Sequence, residues 1–505
     1  MRLLKRALIF VHRWLGVALC LLFLLWFPSG IVMMYWSFPE VSSRDRLERA
    51  PALDPSAIKL TPGEAFAKLN ADPPPTDARL DTFDGRPIYE FRNDGDEITL
   101  FADTGEEPEE IGPALMRRVA SRWSGQPAAE ARVEAITQID QWTIANFRSV
   151  APVTRYTWPD GQQVYVSANT GDVVQATTRA SRVWAYLGAI PHWLYFPPLR
   201  KHGPAWSRTV IWSSAVGTAS ALLGLVIAAW MLSPSKRYRY DGAPTAIPYR
   251  GQKRLHTILG LVFGIGAVTW AFSGMLSMEP FPLSRGGGAE SPSLPQLRGE
   301  IRFADFAGHD LRDVLARLPA GQVKSLEFTS FDGTPMYLAT LGDGATRVVP
   351  LQGSAQREFD RDRIMAMVRG QGGKFPPTEV RVIDQYDRYY LDRRRRLSLP
   401  VILARYADAQ QTRIYIDPKT ARIASGYQSG DWMDRWLYHG LHSLNFPWLY
   451  NHRPLWDIVV ISFMIGGTTL CVTSLILAWR VLGRKLRALL PAGAGAPVLS
   501  EDLAP

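Results

Sequence analysis

The sequence predicts a membrane α-helical four-span bundle carrying α+β domains outside the membrane, built as a tandem duplication of one span–domain–span unit. Three observations carry this. Four apolar runs are each long enough to cross a bilayer, which takes about 20 helical residues. Long polar segments with strand alternation separate the first run from the second and the third from the fourth. Finally, the residues in and around the runs recur at a nearly constant spacing.

The first run covers Ala7–Trp36. Its charged start, Arg2, Lys5 and Arg6, resembles a signal peptide, but the run is too long and no small-x-small cleavage site follows before Pro39, so it is expected to stay as a span. The other runs are Trp206–Leu232, Leu255–Met278 and Leu455–Leu482. Basic residues crowd the N-terminus, the loop with Lys236, Arg237, Arg239, Arg250, Lys253 and Arg254, and the tail with Arg480, Arg484, Lys485 and Arg487. Positive loops stay inside, so both termini and residues 233–254 are expected in the cytoplasm of a bacterial inner membrane, with 37–180 and 279–430 on the periplasmic side. The formal charge of +10 therefore reflects topology rather than nucleic-acid binding. Of 17 tryptophans, several flank the runs as an interfacial belt would. The only cysteines, Cys20 and Cys471, lie inside apolar runs, which excludes a disulfide framework.

The repeat is legible residue by residue. His12, Gly16, Trp26 and Ser29-Gly30 align with His256, Gly260, Trp270 and Ser273-Gly274 at an offset of 244. Phe83-Asp84-Gly85 aligns with Phe331-Asp332-Gly333 at 248, and Ile139-Asp140-Gln141-Trp142 with Ile383-Asp384-Gln385-Tyr386. His192, Phe196-Pro197, His202, Pro204 and Trp206 align with His442, Phe446-Pro447, His452, Pro454 and Trp456 at 250. Both copies enter from the same side, so the repeat is parallel and a pseudo-twofold along the membrane normal would relate its halves.

Within 37–180 the signals are a capped helix at Thr61-Pro62 running to Leu69, strands over 87–92 and 98–101, and a hairpin of 163–166 with 172–174 around Asn169-Thr170-Gly171. In 279–430 a strand over 413–416 leads to Asp417-Pro418, and the Gly-, Ser- and Pro-rich stretch 284–295 reads as a linker. The stretches 181–194 and 432–444 read as amphipathic helices at the interface, opening the segments 181–232 and 431–482; residues 483–505 form the tail.

The His-x-x-x-Gly spans, the hairpin of Val164-Tyr165-Val166 with Thr170-Gly171 and its second copy Ile414-Tyr415-Ile416, and the spans that follow His-x-x-x-Phe-Pro resemble the PepSY-associated transmembrane helix family over residues 5–482. Some members of that family resemble inner-membrane ferric-siderophore reductases that hold two b-type haems in a four-helix bundle, which implies an oxidoreductase. PepSY domains elsewhere are associated with inhibiting or chaperoning secreted peptidases, which implies a non-enzymatic regulator or assembly factor that binds periplasmic peptides or proteins.

The histidines weigh towards the first reading. Seven of the eight sit in or beside the spans, and only His309 lies well inside an outside domain. An ionisable residue in a span points to function. Neutral imidazoles ligate haem iron, and Gly16 and Gly260, one turn beyond His12 and His256, leave room for a flat macrocycle. His12 with His256 is the expected inner pair. For the outer pair His192 with His442 is favoured, while His202, His452 and His439 stay open as alternatives. Met33, Met34, Met275 and Met278 are possible sulfur ligands, or simple packing. No Gly-x-Gly-x-x-Gly follows a strand, and Gly286-Gly287-Gly288 fits no nucleotide motif, so no flavin or nicotinamide site is evident. The expected donor is quinol or a cytosolic reductase. The expected acceptor is a periplasmic ferric complex, towards which Arg393–Arg396 would attract an anion or serve as a solvated charge run.

Overall fold

The computed structural model describes residues 2–69, 73–93, 96–108, 111–281, 292, 295–371, 374–392 and 395–489. The Gly286–Gly288 run, most of the 284–295 stretch, and Arg393 with Arg394 lie outside the described residues. The chain divides into two units, one of residues 1–37, 184–280 and 436–505, the other of 38–183 and 281–435.

The first unit is a bundle of four long helices: α1 (Arg2–Met33), α2 (Gly203–Met231), α3 (Gly251–Leu276) and α4 (Leu455–Leu489). All four are long and apolar enough to cross a membrane, making this a multi-pass membrane protein. The first three helices start earlier than the apolar runs, because a helix continues past the hydrocarbon region into residues such as Arg2 and Gly251, while the fourth starts at Leu455 as expected. Pro28 lies within α1, next to Ser29; a spanning helix tolerates proline where neighbouring groups take up the freed carbonyl. In the packing, α1 and α3 each lie against both α2 and α4, so α1 and α3 stand at opposite corners of the bundle. Between α2 and α3 the chain makes a short hairpin of Tyr238–Tyr240 with Ala243–Thr245, braced by Arg254, whose Nη1 donates to the Ile247 carbonyl at 2.6 Å.

Of the two stretches expected as single amphipathic helices, one is broken and the other is continuous but wound differently. The first divides into Arg179–Leu187 and Ala189–Trp193 at Gly188, where an added Cβ would come within 2.8 Å of Val32. The second runs as a π-helix, Met433–Gly440, and then a turn of α-helix, Leu441–Ser443. Both end in a left-handed leucine, Leu194 (φ 53°) and Leu444 (φ 47°), which swings the chain into a Phe-Pro turn.

The second unit is α+β. Its first segment supplies β1 (Asp77–Phe83), β2 (Arg86–Asn93) and β3 (Asp96–Phe101). The later segment supplies the matching long meander Val323–Phe331, Thr334–Leu341 and Thr346–Pro350. These do not form two sheets. β1 pairs antiparallel with Val323–Phe331, joining both meanders into one seven-stranded sheet that also takes in Arg298–Gly299. The sheet is thus shared across the boundaries 37–180 and 279–430 expected from the sequence. Pairing the two first strands removes an exposed edge from each meander, the physical incentive for the merger. One face buries a continuous apolar core that includes Leu80, Tyr89, Phe91, Phe306, Phe328 and Tyr337. Thr61 caps helix Pro62–Ala67 reciprocally with Glu64, as the sequence signals, and the helix ends two residues earlier than expected.

Each segment also builds a four-stranded antiparallel sheet, from Arg132–Ile136, Val153–Thr157, Gln163–Ser167 and Val173–Thr177 in one, and Pro377–Ile383, Val401–Tyr406, Arg413–Asp417 and Arg422–Tyr427 in the other. In the first, the Asp140 carboxylate caps the amides of Trp142 and Thr143 and accepts from Tyr165 Oη at 2.7 Å. In the second, the same three tasks fall to Asp387, which caps Tyr389 and Tyr390 and accepts from Tyr415 Oη at 2.8 Å. The sequence alignment pairs Asp140 with Asp384 instead; the carboxylate that corrects it stands three residues on.

Candidate cofactor-binding site

Diagonal packing brings histidines together at two levels of the bundle. His12 on α1 and His256 on α3 face each other across its centre with ring centroids 6.3 Å apart. His192, in Ala189–Trp193, and His442, in Leu441–Ser443, stand 5.9 Å apart. The short helices that carry them pack on α1 and α3 respectively. Along α1, His12 and Ser29, which touches His192, are 17 residues apart, and at 1.5 Å per residue the two levels lie roughly 25 Å apart.

The hydrogen bonds fix the tautomer of each ring. The outer site is the clearest. Ser29 Oγ donates its one proton to the Trp26 carbonyl at 3.0 Å, so its 3.1 Å contact with His192 must be an Nδ1–H donated to the hydroxyl oxygen. Ser273 repeats this, donating to the Trp270 carbonyl at 3.2 Å and accepting from His442 Nδ1 at 3.0 Å. At the inner site His12 Nδ1 lies 3.0 Å from the Ser220 carbonyl, which can only accept. His256 Nδ1 lies 3.1 Å from Thr473 Oγ1, whose proton goes to the Leu470 carbonyl at 2.7 Å. All four rings therefore carry a proton on Nδ1, which leaves the lone pair of a neutral ring on Nε2. A second-sphere acceptor on Nδ1 is the arrangement that orients a metal-binding histidine and strengthens it as a ligand. Burial also pulls the His192 imidazole down to about 4 and His442 to about 3, so both are neutral at physiological pH, as ligation requires.

The backbone around the outer pair is equally determined. Trp206 Nε1 donates to the Trp193 carbonyl at 2.8 Å and Trp456 Nε1 to the Ser443 carbonyl at 2.9 Å. Each bond ties the residue after the histidine to the first turns of α2 or α4. Trp270 Nε1 further donates to the His442 carbonyl at 2.8 Å.

Glycines shape the space beside the rings. A Cβ on Gly224 would come within 2.6 Å of His12 Cε1, so only glycine lets α2 pass that ring. Gly30 and Gly274 lie beside His192 and His442, where a Cβ would stand 3.7 Å from Cε1 in both cases. Gly16 and Gly260 differ: an added Cβ would meet nothing within 4 Å, so open space adjoins the helix face one turn beyond His12 and His256.

The alternatives from the sequence stand elsewhere. His202 and His452 are exposed, and His452 Nδ1 lies 2.6 Å from the Trp448 carbonyl in its own turn. His439 is exposed, its ring 4.6 Å from Tyr438, which in turn lies 5.6 Å from His442. Met34 and Met275 are buried at the ends of α1 and α3. The residues that fix the tautomers, Ser29, Ser220, Ser273 and Thr473, were not assigned from the sequence, although Ser29 and Ser273 belong to its aligned signature.

Chemically, each level would offer a bound metal two imidazole nitrogens. Metal–nitrogen bonds of about 2 Å and the width of two imidazoles put their centroids about 6 Å apart around one iron, close to both observed separations. Among the described residues no group of three or more His, Cys, Asp or Glu side chains converges as a metal site. Two ligands suit an iron whose other donors come from a macrocycle. Comparison with models of known protein families and with curated proteins gives no match, so the PepSY-like resemblance rests on the motifs quoted above.

Proposed function

We propose that this protein is an inner-membrane electron carrier with two b-type haems, one held by His12 and His256 and the other by His192 and His442, that acts as a reductase of a periplasmic ferric complex such as a ferric siderophore. One observation carries the reading: at two levels of one bundle, two imidazoles with Nδ1 engaged stand one bis-imidazole iron apart. Gly16 and Gly260 supply room for the macrocycle, and the Nδ1 acceptors hold the rings in orientation. Haem iron, when bound, would supply one-electron chemistry between Fe(III) and Fe(II). A roughly 25 Å separation suits carriage across most of a hydrocarbon core of about 30 Å.

The finer architecture belongs to the same proposal. The two halves are copies of one unit, which the matched pairs Ser29/Ser273, Trp206/Trp456 and Leu194/Leu444 support, as does the pairing of Arg79 opposite Glu327, residues at the 248 offset. The basic residues of the α2–α3 hairpin and of both ends support a cytoplasmic side for these and a periplasmic side for the PepSY-like sheets. Quinol or a cytosolic reductase would supply electrons at the inner pair. The alternative, a PepSY-type regulator that binds peptides, leaves four enclosed imidazoles without a task. The test is re-oxidation: protein reduced by stoichiometric dithionite should show a b-type α band that collapses on adding a ferric siderophore, with Fe(II) trapped by a chelator. A band that persists would rule out the ferric acceptor.

A further inference from the structure

The two histidine pairs are held differently. The inner rings meet at 38°, whereas the outer rings cross at 67°. In a bis-imidazole iron site this angle has an electronic consequence. The closer two rings come to one plane, the more their π density goes into the same iron d orbital, splitting the d set and favouring the ferric state. Crossed rings raise two d orbitals alike, leave them nearly degenerate, and stabilise ferric iron less. Axial ligands and their hydrogen bonds are the levers by which a protein sets haem potential.

Trp270 holds one of the outer histidines at two points. Its indole Nε1 donates to the His442 carbonyl at 2.8 Å, while its own carbonyl accepts from Ser273, the hydroxyl that holds His442 Nδ1. Trp270 thus grips both the backbone and, through Ser273, the ring. It is itself immobile: only 8% exposed, edge-on to Phe27 at 6.0 Å and Phe463 at 6.2 Å, and seated against Gly266, where a Cβ would come within 3.1 Å of the indole. Trp26, the tryptophan aligned with it, reaches His192 through its carbonyl, 3.3 Å from Nδ1.

Resting on the haem reading above, we propose that the outer pair is a crossed-ring site whose angle is set by Trp270 as a positioning residue, and that this site takes an electron from the inner one more readily than it returns it. With haem bound at both pairs, net flow from inner to outer would be downhill, one electron passing from ferrous iron at the inner pair to ferric iron at the outer.

The test uses full-length, haem-loaded protein in detergent. Electron paramagnetic resonance of the oxidised form should show two low-spin ferric signals, one with the large g-maximum of crossed imidazoles. That signal should vanish in His192→Ala and survive in His12→Ala. Redox titration should show two steps, the lower lost in His12→Ala. Trp270→Phe should keep the α band, move the large g-maximum signal towards an ordinary rhombic one, and lower the upper step. Ser273→Ala, a smaller change, should shift both readouts the same way. Two signals of one shape, loss of the upper step in His12→Ala, or an outer signal unmoved in both variants would overturn the inference and leave the haem reading standing. A wild-type protein with no α band would overturn both.

Discussion

At the scale of single residues, the protein depends on hydrogen bonds that commit each imidazole to one tautomer. Ser29 is representative: its proton is used by the Trp26 carbonyl, so its oxygen is left to accept from His192. Ser29→Ala removes that acceptor while leaving the histidine in place, and should weaken haem binding at the outer site about 10–100-fold, the usual effect of losing a second-sphere partner. Titrating haem into apo-protein measures it; unchanged affinity would mean that Ser29 is packing only. Gly224→Ala tests the inner site from the opposite direction. The new methyl would meet His12 Cε1 at 2.6 Å and push the ring off line, lowering inner-site occupancy with the outer site intact. The histidine pairs could be read from the sequence because both members recur at fixed offsets. Ser220 and Thr473 could not, because each lies more than 200 residues from the ring it holds and only diagonal packing of the helices joins them.

At the scale of elements, glycines let the spanning helices close around aromatic rings. Gly217 receives Phe23, Gly467 receives Phe27, and Gly266 lies under Trp270. Phe27 and Trp270, 6.0 Å apart, fill the bundle between the two histidine levels. A Cβ on Gly467 would stand 2.6 Å from the Phe27 ring, so Gly467→Ala overpacks the centre and should cost about 1–3 kcal/mol of stability. Thermal unfolding in detergent reads this directly, and a melting point equal to wild type would show that α4 can yield there. The four spans were legible because an apolar run of such length has few other uses. The helices before the outer histidines were less so. Their periodicity is amphipathic throughout, yet one breaks at Gly188 on Val32 and the other winds as a π-helix, choices imposed by tertiary contact rather than by local pattern.

At the scale of the whole molecule, the chain joins a membrane bundle to an α+β unit in which both long segments share one sheet. Strands over 87–92 and 98–101 were visible in the sequence, whereas the meander of 323–350 was not. The pairing of β1 with Val323–Phe331 was not, since it joins strands some 250 residues apart and follows from the value of covering two edges. The proposed topology makes a direct prediction. Cys20 and Cys471 are buried, so an introduced cysteine reports on its own. In intact cells an impermeant maleimide should label Glu130→Cys and spare Asp241→Cys until the membrane is broken; the reverse pattern would invert the molecule. If each histidine pair holds one haem, haem stoichiometry by the pyridine haemochrome spectrum, on wild type and on His12→Ala and His192→Ala, should give two haems per chain in wild type and one in each variant. A wild-type protein without haem after expression with ample supply, or variants that keep both, would contradict that occupancy.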